Sequence, residues 1–122
     1  MTLKTSLGIW AFGPMITRFV PGGYQPQWTS ENIVDKVGRA VAGLGDLIDD
    51  YEFHYPQEIN EGNEAAIKKA LGGHGIYCVA TGLHLDPLFG RGGLCSPDAS
   101  IRAEAVRRTL AGADMAGRLH AN

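Results

Sequence analysis

The stretch Ile76-Tyr-Cys-Val-Ala-Thr-Gly-Leu-His-Leu-Asp-Pro-Leu-Phe-Gly-Arg-Gly-Gly-Leu-Cys-Ser-Pro-Asp98 reads as a strand, a long Gly/Pro-rich loop and the start of a helix that runs on through Ile101–Leu110. Ile76, Cys78 and Val79 form an apolar run between Gly75 and Gly82, the pattern of a strand buried on both faces. Ser96 is placed as the helix cap, Pro97 as the first helical residue and Asp98 in the first turn, where it complements the helix dipole. The loop between strand and helix carries His84, Asp86 and Arg91. A connection this long in a compact α/β protein is more often functional than a plain link.

Working outward, the same strand-then-helix unit recurs twice upstream. Thr5–Phe12 reads as a first strand, closed by Gly13-Pro14 and followed by a long loop over 13–29. Ser30 is placed as the cap of a helix whose Ile33, Val34, Val37, Ala40, Val41 and Leu44 recur at helical spacing, with Gly45 as its stop. Leu47–His54 reads as a second strand, ended by Pro56. Asn60 or Asn63 opens a short helix with Ala66, Ile67, Ala70 and Leu71 on its inner face, and Gly72-Gly73 follow it. The last helix is expected to fray near Gly117–Leu119. The order β-α-β-α-β-α implies a parallel sheet in one domain over residues 1–122. Sites in such sheets lie on the loops after the carboxyl ends of strands, here 13–29, 55–62 and 82–96.

Composition narrows the function classes. Eleven basic against thirteen acidic side chains leave a charge of −2, which argues against a nucleic-acid surface built on positive charge. Seventeen glycines, about twice the usual share, fall between elements and mark short turns. Two cysteines without metal-site spacing suit a reduced, cytoplasmic setting. No apolar window approaches a membrane span. Gly90-Arg91-Gly92-Gly93 fits neither Gly-rich phosphate template, and Lys68-Lys69 and Arg107-Arg108 read as solvated helix faces.

Thr81-Gly-Leu-His-Leu-Asp-Pro-Leu-Phe-Gly-Arg-Gly-Gly93, followed by Ser96-Pro-Asp-Ala-Ser-Ile-Arg-Ala-Glu-Ala-Val-Arg-Arg108, resembles the third strand, loop and helix of xylose isomerases and related sugar isomerase/epimerase barrels. Gly8-Ile9-Trp10 resembles that family's Gly-Leu-Trp, and Phe53-His54 its Phe-His. The resemblance implies the N-terminal three βα units of a (β/α)8 TIM barrel, whose eight units need about 250 residues. A three-stranded parallel sheet with open edges is therefore expected to be completed or covered by self-association, as a homo-oligomer.

It also implies aldose–ketose isomerisation of a pentose such as xylose, with Mg²⁺ or Mn²⁺ as cofactor. His54 would open the sugar ring, since imidazole moves protons near neutral pH. Trp10, His84 and Phe19 would line the sugar, the indole lying against its apolar face. The family orients its His with an Asp three residues on, where this chain has Gln57 followed by Glu58. The strands that hold the family's two metals have no counterpart here, so Glu52, Glu58 and Asp86, with His84 beside them, are the ligand candidates. Residue types alone leave Trp10 open to being a core aromatic, and His54 to being a strand-end His bonded to backbone. The non-catalytic alternative is a sugar-binding or assembly module, and an epimerase of the same superfamily is a further one.

Overall fold

The computed structural model describes residues 3–13 and 30–121. Its sheet is parallel and three-stranded in the order β1 (Ser6–Gly8), β2 (Asp50–Tyr55), β3 (Gly75–Thr81), with α1 (Ile33–Leu44), α2 (Glu64–Leu71) and α3 (Ala99–Leu119) following the strands in turn. The expected α/β pattern and parallel sheet are both present.

β2 is central, and its alternation divides the molecule. Tyr51, Phe53 and Tyr55 point into the core, the first two with no exposed surface. They meet Val37 and Ala40 of α1, Ile67 and Leu71 of α2, and Met115 and Leu119 of α3, together with Ile9 and Ile59. Burying a side chain such as Phe53 is worth about 1.5–3 kcal/mol in transfer terms alone. The intervening Glu52 and His54 lie on the other face and are half-buried.

β3 departs from the expectation of a strand buried on both faces. Ile76 is buried, but Tyr77 is 48% exposed, and the register slips between Tyr51 and Glu52 of its partner. Ile76 pairs with Tyr51 and Cys78 with Glu52, so Tyr77 is the extra residue of a bulge. Both Ile76 and Val79 thereby reach the core side, although they are three apart in sequence. β3 is an edge strand of the described sheet, as is β1.

Other boundaries also moved. The first strand stops at Gly8, and Ile9–Phe12 wind into a 3-10 turn that lays the Trp10 indole over Gly8; a Cβ at Gly8 would overlap that ring. Asn32, not Ser30, caps α1, its Oδ1 accepting from the Asp35 N–H at 2.9 Å. Asp98, not Ser96, caps α3, its Oδ1 accepting from the Ser100 N–H at 2.7 Å and the Ile101 N–H at 3.4 Å. The Asp98 carboxylate serves two orphan donors and adds a negative charge at the positive end of the dipole, which a serine hydroxyl lacks. Ser96 is buried and accepts from the Asp98 N–H instead. α3 stays helical through Leu119 rather than fraying, closed by His120 at φ 54°. The second strand begins at Asp50, leaving Leu47 72% exposed.

Tyr51 buries its hydroxyl with no hydrogen-bond partner among the described residues. An unsatisfied buried hydroxyl costs about 1–3 kcal/mol. Tyr51→Phe is therefore expected to raise stability by about 1 kcal/mol, a gain of a few degrees in Tm. Thermal unfolding followed by circular dichroism measures this, and a lowered Tm would show that the hydroxyl is satisfied.

Candidate functional site

Four side chains meet where the three strands end. Trp10 comes from the turn after β1, His54 from the penultimate position of β2, Glu58 from the turn after it, and His84 from a 3-10 turn, Leu83–Leu85, after β3. The Trp10 and His54 ring centroids lie 4.4 Å apart at 46°, and those of His54 and His84 lie 5.2 Å apart at 66°, edge toward face. His54 is thus flanked by two rings.

Its third neighbour is a carboxylate. Glu58 Oε2 accepts from the His54 backbone N–H at 2.8 Å and stands 3.1 Å from Nδ1 of the same residue. The turn makes this reach possible, because the Glu58 and Ile59 N–H groups both donate back to the His54 carbonyl, at 2.8 and 3.1 Å. Both side chains are largely withdrawn from water, 12% and 13% exposed. A proton on Nδ1 satisfies the carboxylate and leaves Nε2 with a lone pair for a ligand. Glu58 therefore does the orienting that the resemblance assigns to the position of Gln57. Gln57 turns the other way and donates from Nε2 to the Gly82 carbonyl at 2.9 Å.

The remaining candidates lie elsewhere. Glu52 sits on the His54 face of β2, accepts from Ser6 Oγ at 2.5 Å, and joins burial in pushing the neighbouring Cys78 thiol up. Asp86 caps the short turn Pro87–Phe89 through the Leu88 N–H at 2.9 Å and takes Arg108 NH1 at 2.6 Å. Those bonds hold its carboxyl below the usual range, the Leu88 amide first. Phe19 lies outside the described residues.

Glu52, Glu58 and Asp86 are each bonded to a different neighbour. Among the described residues no group of three or more His, Cys, Asp or Glu side chains gathers to hold a metal. The donors among the described residues of one chain do not fit the implied Mg²⁺ or Mn²⁺ pair. No protein-family model matches the chain, and no curated protein matches it. The likeness to sugar isomerases rests on the residues quoted above.

Arg108 corrects the expectation of a solvated helix face. It is only 19% exposed, reaches Asp86, and lies over the Phe89 ring at 5.0 Å. Glu104 accepts from its Nε at 2.8 Å and from Arg107 at 2.7 and 2.6 Å. This network ties the loop that carries His84 to α3. The sequence held no periodic signal for it, since Asp86 and Arg108 are 22 residues apart.

The Arg107 and Arg108 hydrogen bonds hold the Glu104 carboxyl at about 2, against an ordinary 4.5. A depressed acid stabilises the fold above its ordinary value, and that contribution is lost as pH falls from about 4.5 toward about 2. Glu104→Gln is expected to lower the urea midpoint at neutral pH and to make its fall through this acid window shallower. Equal acid slopes for both proteins would show that the network contributes nothing.

Proposed function

We propose that this cluster at the strand ends binds an aldopentose such as xylose, and that the chain is a xylose isomerase-like aldose–ketose isomerase in which His54 opens the sugar ring. The observation that supports it is His54 between two rings with its Nδ1 on Glu58, at the carboxyl ends of three parallel strands. An indole face suits the C–H surface of a pyranose, and an imidazole beside it suits the anomeric hydroxyl. His54 Nε2 takes the anomeric proton as the bond between C1 and the ring oxygen breaks. C1 becomes a carbonyl, and the proton passes to the ring oxygen, so the imidazole ends as it began. The carboxylate of Glu58 stabilises the imidazolium in between. His84 donates to or accepts from a second hydroxyl.

The fold around this site is proposed to be three units of a TIM barrel, with the His54 face and open edges of the sheet covered by a second copy of the chain. Mg²⁺ or Mn²⁺ is the cofactor the resemblance implies, and such an assembly is where further ligands would come from. The free Cys78 and Cys95 suit a reducing, cytoplasmic setting. No described helix is long and apolar enough to cross a membrane.

One observation favours a second reading, a sugar-binding module without turnover: Glu52, Glu58 and Asp86 are each already bonded to a different neighbour. The mutarotation of α-xylose, followed by polarimetry, separates the two. Acceleration by the protein is expected, with a loss of about a hundredfold or more in His54→Asn. An acceleration that survives His54→Asn would overturn the role of His54, and binding without acceleration would leave the binding module. Xylulose formation with Mg²⁺ or Mn²⁺ added tests the full isomerisation. Sedimentation velocity is expected to show a dimer or larger species, and a monomer at every concentration would overturn the shared closure.

A further inference from the structure

The His84 side chain is exposed, so its place against His54 depends on the backbone that carries it. That backbone begins at Gly82. The Gly82 N–H donates to the Tyr55 carbonyl at 2.8 Å, prolonging the β2–β3 ladder by one step. Its own carbonyl accepts twice, from the Leu85 N–H at 3.1 Å, which closes the turn holding His84, and from Gln57 Nε2 at 2.9 Å. One oxygen atom therefore joins the His84 turn to the segment after β2. The amide of Gln57 lies so close over Gly82 that a Cβ there would overlap Gln57 Oε1. Gly82 has φ −77°, which any residue adopts, so the glycine is needed for room and not for conformation.

We infer that Gln57 is a positioning residue that holds His84 against His54 through the Gly82 carbonyl. Consecutive residues thus divide one task, Glu58 orienting the first imidazole and Gln57 placing the second. This makes His84 a fixed wall of the proposed sugar site rather than a swinging surface side chain. The functional part rests on the sugar reading above. The geometric part does not.

The test is NMR of the histidine ring protons in the free protein, with His84 assigned through His84→Phe, beside xylose titration. In the unmodified chain the His84 ring protons are expected to be displaced by the ring current of His54. Gln57→Glu keeps the shape of the side chain but replaces the donor with an oxygen facing a carbonyl. Gln57→Met removes the donor without adding charge, and Gly82→Ala pushes the amide away. Each is expected to return the His84 shifts toward those of an exposed histidine, while His54 keeps the displacement due to Trp10. Xylose affinity should fall by about three- to tenfold, the weight of one neutral hydrogen bond. Gln57→Lys, which retains a donor, should restore both readouts. A general loosening of the fold would also remove the displacement of His54 by Trp10, 4.4 Å away, and would overturn the inference. So would unchanged His84 shifts in Gln57→Met and Gly82→Ala. His84 shifts that move in a protein that binds no xylose would leave the positioning role standing and remove the sugar reading.

Discussion

The alternation of side chains along β2 is the constraint on which the rest of the molecule depends. Tyr51, Phe53 and Tyr55 hold three helices against the sheet, so the strand cannot rotate or slip without emptying the core. The complementary set, Asp50, Glu52 and His54, is then committed to the other face by geometry alone. His54 faces away from the core because Phe53 faces into it.

Around that fixed residue the three βα connections make unequal contributions. The first turns back at once, which brings Trp10 across Gly8 and onto the imidazole. The second is a tight turn whose amides cap the His54 carbonyl and whose carboxylate caps the His54 ring. The third is long, but two short 3-10 turns, the Asp86–Arg108 ion pair and Phe89 under the guanidinium give it a defined path. Polar bonds to α3, together with the burial of Phe89, therefore decide where this part of the sequence goes. A loop rich in glycine and proline becomes ordered when its few charged residues have partners on the following helix.

Much of this was legible in the chain. The helical spacing from Ile33 to Leu44, the glycine after it and the run of three strand-then-helix units all correspond to observed elements. Trp10, His54 and His84 are brought together as residues at successive strand ends should be. What was not legible has physical causes. Asn32 and Asp98 compete with nearby serines for the cap positions, and only geometry shows which oxygen meets the orphan amides. The aromatic run Ile9–Phe12 has the composition of a strand, and only the indole folding back over Gly8 reveals the turn. Residue type did not show which of Gln57 and Glu58 faces His54. Neighbours in a turn point in divergent directions, and the roles of amide and carboxylate followed from which way the backbone faced.

The unpaired Tyr77 has a consequence beyond its own exposure. It acts as a phase shifter in β3: upstream of it Ile76 is in step with Tyr51, and downstream Ala80 is in step with His54. With perfect pairing the methyl of Ala80 would be exchanged for the larger Val79 beside the imidazole, and Cys78 would be driven under the helices. A single added residue therefore keeps a bulky, greasy group from the side of His54, and sequence length within this strand matters as much as sequence content.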